Sequence, residues 1–338
     1  MAPRPPGSCP PRLRCGLVIG AGAAVGGAWA AGAVCALTET GAFDPAGPEL
    51  VVGTSAGSVV AALLAAGMPP RELAGLFSDD RESGTPPVRP ELSARVRATL
   101  RDVPRPVPIP GNLRLAARTL GRPGHRALRT AAAALAPRGR GDLAPVGELV
   151  GAVQGDRTWP ARPRTWLVAM DFDSGRRVAF GAPGEPPTSP AEAVMASCSV
   201  PGLFAPRFIA GRRYVDGGAV SVTNADVLAG EALDEVVVVA PLVTPGPLPR
   251  RSAAARIEHR VRLHIAQRLS WEVWRLLAAG MSVRVLTPTA EDVAAMGVDR
   301  MDAGRHRRVF ETAVRTTTAQ LAAEAPPAAA HAEIDGVA

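Results

Sequence analysis

Twice near the start of the chain an apolar run feeds straight into a glycine-rich turn and then into a stretch of small helix-forming residues. Leu17-Val18-Ile19 leads into Gly20-Ala21-Gly22-Ala23-Ala24-Val25-Gly26-Gly27, with a small-residue helix expected over 28–40 and ending at Gly41. Leu50-Val51-Val52 leads into Gly53-Thr54-Ser55-Ala56-Gly57, with a helix over 57–66 that stops at Gly67 before Pro69 and Pro70. Short fully apolar strands of this kind are buried on both faces. Alternating with helices, they predict an α/β protein whose neighbouring strands run parallel.

The same turn restricts the chemistry. A strand that bends sharply into a helix presents its central residue on a strained, exposed corner, and only small neighbours avoid a clash there. Ser55 occupies that corner, flanked by Gly53 and Gly57. The free N–H groups of the following helix favour negative charge at the hydroxyl. Ser55 is therefore a candidate nucleophile. Parallel strands would set the Gly20–Gly27 loop beside it, so that its backbone N–H groups could receive an oxyanion. Two other readings of that loop exist. One is a dinucleotide fingerprint, although the second strand then ends in a serine where an acidic residue is wanted. The other is a loop made of glycine only for close packing.

A serine nucleophile needs a base. The histidines are His125, His259, His264, His306 and His331, and none falls in a short loop after a strand. The chain contains no lysine; all 38 of its Lys+Arg residues are arginine. That excludes Schiff-base chemistry, a P-loop and a Ser–Lys dyad. Asp216 remains, in Tyr214-Val215-Asp216-Gly217-Gly218, where a strand end and two small residues leave a carboxylate approachable. Read alone, Asp-Gly-Gly is also an ordinary turn. Asp171, Asp173 and Glu185 form no convincing ligand set, so no metal and no cofactor are expected.

Together these segments resemble the patatin-like phospholipase family. The resemblance rests on the loop Gly20–Gly27, the elbow Gly53–Ser58, the block Ala196-Ser197-Cys198-Ser199-Val200-Pro201-Gly202-Leu203-Phe204, and Asp216-Gly217-Gly218. It is strong over 14–78 and 165–240 and weaker over 280–320. It implies a three-layer α/β sandwich around a central, mostly parallel sheet. It also implies a serine acyl hydrolase acting on lipid esters through a Ser–Asp dyad and an acyl-enzyme. Carried over, Ser55 is the nucleophile and Asp216 its base, with Gly217 and Gly218 forming the supporting turn. Gly20, Gly22, Ala23 and Ala24 would line the oxyanion hole. The chain departs from the family at Ala23, where a glycine is usual, and at Val25, where an Arg or Lys is usual. Ala23 fits such a loop with a negative φ. Asp216 is a useful base only if desolvated, so its pKa is expected to be raised. The alternative is a non-hydrolytic nucleotide- or lipid-binding protein that uses the same loop.

The rest of the chain sets boundaries. Residues 1–13 read as a loose Pro/Arg-rich tail, 14–325 as the hydrolase domain and 326–338 as a second loose tail. Residues 80–160 are a variable Pro/Arg-rich helical insertion or cap, with helices expected at 91–101 and 112–135. Twelve arginines fall within 89–140 against Glu91 and Asp102. This face could meet an anionic membrane. Aromatics amount to only 4%, too few for base stacking, so no nucleic acid is expected. Cys9, Cys15, Cys35 and Cys198 lack metal-site or disulfide spacing and read as reduced thiols of a cytoplasmic protein. The uncharged stretch 16–37 follows Arg4, Arg12 and Arg14 as a signal peptide would, but it is rich in Gly and Ala rather than large apolar residues.

Overall fold

In the computed structural model, residues 13–43, 47–77, 89–122, 124–155, 158–243 and 253–324 are described. The expected tails lie outside them, apart from Leu13 at the N-terminal boundary.

The apolar runs pair as a single eight-stranded sheet. The first is β1 (Cys15–Ile19), followed by α1 (Ala23–Glu39), then β2 (Leu50–Thr54) and α2 (Ala56–Ala65). A short α3 (Ala74–Phe77) precedes the insertion. The insertion holds α4 (Pro90–Arg101), β3 (Val107–Pro110), α5 (Leu113–Thr119), α6 (His125–Leu135), β4 (Pro137–Arg138) and α7 (Ala144–Gln154). The sheet resumes with β5 (Arg164–Asp171) and β6 (Arg177–Phe180); α8 (Pro190–Cys198) leads to β7 (Arg207–Ile209) and β8 (Arg212–Asp216). Then come β9 (Glu235–Val239), α9 (Ala253–Ala278), β10 (Ser282–Leu286), α10 (Ala290–Met296) and α11 (His306–Glu324).

The strand order is β10-β9-β1-β2-β5-β8-β7, with β6 also pairing β5. Pairings from β10 across to β5 are parallel, whereas β6, β7 and β8 add antiparallel edges. Alternation along the strands splits the interior into two cores. Leu17, Ile19 and Val51 face α1, α2 and α11, whereas Val18, Leu50 and Val52 face α9. This is the expected three-layer α/β arrangement.

The uncharged stretch now has its explanation. Residues from Ala24 to Leu37 are all buried, because α1 is enclosed on every side. Its Gly/Ala composition lets α11 approach so closely that a Cβ on Gly32 would come within 2.5 Å of the Phe310 carbonyl. Among the described residues no helix is long and apolar enough to cross a membrane.

Two expectations about helices change. The first helix begins at Ala23, five residues earlier than expected. The single helix expected over 112–135 is two, because Gly121 and Gly124 both adopt positive φ between them (89° and 104°). The resulting α5–α6 hairpin sits on a small core of its own, formed by Leu115, Ala116 and Ala134 against Phe172, Val215 and Val220. That contact joins the insertion to the end of β8, where Asp216 stands.

Candidate active site

The serine corner is built by close approach. Gly57 lies so near β1 that a Cβ there would stand 2.2 Å from the Ile19 carbonyl oxygen, and a Cβ on Gly53 would meet Ser58 Cα at 2.6 Å. Between them Ser55 takes φ 55° and ψ −128°, a conformation an L-residue holds only under tertiary constraint. The constraint is visible. The Ser55 N–H donates to Ser197 Oγ at 2.9 Å, and the Ser197 hydroxyl donates to the Val168 carbonyl at 2.6 Å. The Ser55 carbonyl accepts from the Ser58 N–H at 2.7 Å and the Ser58 hydroxyl at 2.6 Å.

Asp216 arrives at the same place from β8. Its N–H donates to the Ser199 carbonyl at 2.9 Å. A Cβ on Gly217 would meet the Val168 carbonyl at 2.3 Å, so only glycine lets the chain turn there. The carboxylate accepts the Gly218 N–H at 2.6 Å, and the Ser55 hydroxyl lies near enough to lower its pKa. It is 4% exposed and Ser55 is 6% exposed. Burial drives the Asp216 pKa up to about 6, against the opposing pull of the Ser55 hydroxyl, the Gly218 N–H and the Arg129 charge. The expected desolvation of this carboxylate is thus present in the geometry.

The glycine loop differs from expectation at two positions. Gly20 cannot donate to an oxyanion, because its N–H is bonded to the Val239 carbonyl at 2.9 Å; the Ala21 N–H is likewise bonded to Val222 at 2.7 Å. Gly22, Ala23 and Ala24 remain, with no backbone acceptor for their N–H groups among the described residues. Ala23 and Ala24 border the cleft that contains Ser55. Ala23 has φ +54°, not the negative φ expected of a residue with a side chain. It occupies the left-handed region where glycine would be unstrained.

That cleft has a volume of about 220 Å³ and walls that are mainly aliphatic, from Val59 to Leu149 and Met301. The insertion supplies part of it through Val96 and Leu100 of α4. Arg300 also borders it, and its carbonyl accepts the Val25 N–H at 3.1 Å. Cys198 lines the cleft as well, but burial and then the Asp216 charge push its thiol to about 12, so it is no rival nucleophile. Among the described residues no histidine borders the cleft, and no group of three His, Cys, Asp or Glu is placed to hold a metal. Asp171, Asp173 and Glu185 are each engaged by an arginine: Arg212, Arg213 and Arg176 respectively.

Three residues that the sequence did not single out hold the site together. Ser197 fixes the elbow as described above. Asn224 donates to Thr54 Oγ1 at 3.2 Å and to the Gly217 carbonyl at 3.4 Å, linking the residue before Ser55 to the residue after Asp216. Arg129, on α6 of the insertion, donates to the Gly218 carbonyl.

The site thus sits in an α/β protein with a mostly parallel sheet, where the central strand ends at a strained serine beside a buried carboxylate. The chain belongs to the patatin-like phospholipase family: the family's sequence model matches residues 17–229, well over half of the chain and including the insertion. No match is found among curated protein sequences. Among solved structures, VipD from Legionella pneumophila is similar at 16% identity and TM-score 0.39, covering 90% of this chain and 67% of that one. The type III effector ExoU is similar at 20% identity and TM-score 0.37, covering 93% and 54%. ExoU from Pseudomonas aeruginosa bound to SpcU gives 19% identity and TM-score 0.31, covering 92% and 60%. The chain spans between about half and two thirds of the length of these proteins.

Proposed function

We propose that the protein cleaves carboxylic esters of lipids, with Ser55 as nucleophile and Asp216 as its base. The observation that carries this reading is a strained Ser55 at the edge of an aliphatic cleft, with its hydroxyl close enough to the buried Asp216 carboxylate to lower its pKa. Asp216 takes the hydroxyl proton as Oγ attacks the ester carbonyl carbon. The carbonyl oxygen becomes an oxyanion received by the N–H groups of Gly22, Ala23 and Ala24. The intermediate collapses, the C–O bond to the alcohol breaks, and Asp216 returns its proton to the leaving alkoxide. Water, deprotonated by the same carboxylate, then attacks the acyl-enzyme; the bond to Ser55 Oγ breaks, Asp216 returns that proton to Oγ, and a fatty acid leaves. The acyl chain lies in the aliphatic cleft.

The insertion gives this enzyme a face for its substrate's surface. Leu113, Leu120, Leu128 and Leu135 are exposed on α5 and α6, among the arginines of the same hairpin. Apolar side chains interleaved with cations suit peripheral contact with an anionic membrane.

A fluorophosphonate probe tests the reading directly. It should attach covalently to Ser55, as mapped by mass spectrometry, and labelling should vanish in Ser55→Ala together with hydrolysis of medium-chain esters. Ester hydrolysis that persists in Ser55→Ala would overturn the assignment.

A further inference from the structure

We propose that a second cavity, between α6 and α9, binds a phosphate group, and that Arg129 links its occupancy to the turn carrying Asp216. The cavity has a volume of about 340 Å³, in the size range of small-ligand sites. Arg129, His264, Gln267, Arg268 and Trp271 line it, and none of its lining residues is a carboxylate or borders the cleft at Ser55.

Two guanidiniums meet there, and they differ. Arg268 is neutralised and fixed: Nε donates to Glu272 at 3.0 Å, Nη2 to Asp226 at 3.4 Å, and its plane lies 4.2 Å over the Trp271 ring. Arg129 is partly buried and donates to a neutral carbonyl, that of Gly218; no carboxylate among the described residues forms an ion pair with it. Burial first, and then the nearby Arg268 charge, push its pKa below the ordinary arginine value. A cation held at that cost, facing a cavity without acids, is a site that an anion would complete. The planar forks of two arginines and the amide of Gln267 suit a tetrahedral group with several oxygens better than a halide or a lone carboxylate.

The link to the active site runs through one residue. Arg129 donates to the Gly218 carbonyl, and the Gly218 N–H donates to Asp216 Oδ1 at 2.6 Å. The Arg129 charge also favours the ionised form of Asp216. A phosphate neutralising Arg129 weakens that support. This coupling rests on the reading of Asp216 as the base; the binding does not.

Inorganic phosphate and phosphatidylcholine vesicles with and without phosphatidic acid are the probes, used with the full chain. Phosphate should protect Arg129 of the wild type from phenylglyoxal, as read by peptide mass spectrometry. By calorimetry Arg129→Gln should bind it roughly tenfold or more weakly, with partial recovery in Arg129→Lys. Both saturating phosphate and Arg129→Gln should move the pH midpoint of Ser55 labelling upward. Protection by free phosphate assigns a soluble ligand; protection only by phosphatidic acid vesicles assigns a lipid headgroup. Arg129 modified equally fast with every probe overturns the site, whether or not the variants fold. Phosphate protection with an unmoved labelling midpoint keeps the site and overturns the link. A wild type in which Ser55 never labels, while phosphate still protects Arg129, fails the dyad reading and leaves the binding site standing.

Discussion

Two carboxylates are buried close together in the chain's interior, and their surroundings could hardly be more different. Glu272, on α9, is fully buried. It accepts from the Thr223 hydroxyl at 2.5 Å, the Ala225 N–H at 2.9 Å and Arg268 Nε at 3.0 Å. Burial, and then the Asp226 charge, raise its pKa, yet its lone pairs are used and a guanidinium is bonded to it. Asp216 is nearly as buried, but its carboxylate accepts only the Gly218 N–H and has the Ser55 hydroxyl nearby, with no ion pair among the described residues. A saturated buried acid fastens elements together, and an undersupplied one keeps the capacity to take a proton. Glu272 fastens α9 to the loop at 223–225, whereas Asp216 has spare acceptor capacity.

Exchanging each acid for its amide should therefore have opposite consequences. Asp216→Asn should reduce fluorophosphonate labelling of Ser55 by about a thousandfold or more, since an amide cannot act as the base. It should not destabilise the fold at pH 8. The sign follows from linkage. Because the Asp216 pKa is near 6 when folded and about 3.9 when unfolded, stability falls as pH rises between those values and stays lower above pH 6. Removing the charge should then raise stability at pH 8 by roughly 2–3 kcal/mol, and by little near pH 4. Denaturant melts at the two pH values check this. A variant that loses stability at pH 8 would make Asp216 a structural acid like Glu272.

Glu272→Gln should do the reverse. It sets an amide N–H₂ against the donors of Thr223, Ala225 and Arg268, and each buried donor left unpaired costs about 1–3 kcal/mol. Labelling per folded molecule should change far less than in Asp216→Asn. A Glu272→Gln protein as stable as wild type but unable to label would put the reactive acid on α9 instead.

A finer test uses pH alone. Below the Asp216 pKa only the ionised fraction accepts the Ser55 proton. The labelling rate should fall about tenfold for each pH unit below 6 and level off above it. A rate unchanged between pH 4 and pH 8 would mean that the carboxylate at 216 does not gate the reaction.

What could be read from the residues in advance follows the range of the forces involved. The elbow at Gly53–Gly57 and the turn at Asp216–Gly218 are spelled out by small residues next to short strands, because each is fixed by clashes within a few residues of itself. The break at 121–124 was also locally written, as Gly-Arg-Pro-Gly, and the helical periodicity on either side hid it. Other features carry no local mark. Arg129 is one arginine among twelve in its segment, and only the folding of the α5–α6 hairpin onto β8 selects it. Asn224 belongs to no recognisable pattern, yet it joins two turns 163 residues apart in sequence, from Thr54 to Gly217. The loss of Gly20 as a donor depends on β9, whose Val239 carbonyl claims its N–H.

Ala23 shows the same division on the smallest scale. Nothing in Gly22-Ala23-Ala24 announces a left-handed residue, and an alanine ordinarily avoids one. The conformation comes from outside: Gly20 and Ala21 are bonded to Val239 and Val222, Val25 to Arg300, and the chain between must turn within that gap. Ala23→Gly should relieve the strain, raising stability by about 1 kcal/mol even after the greater freedom of glycine in the unfolded chain is counted. The labelling rate should remain within about threefold of wild type, since the backbone N–H is retained and only the methyl group is lost. A loss of stability in Ala23→Gly would mean that the methyl group, half-buried at the edge of the cleft, contributes more by packing than the backbone spends in strain. The distinction between a reactive and a fastening part of the site would then have to be drawn through the loop as well as between the two acids.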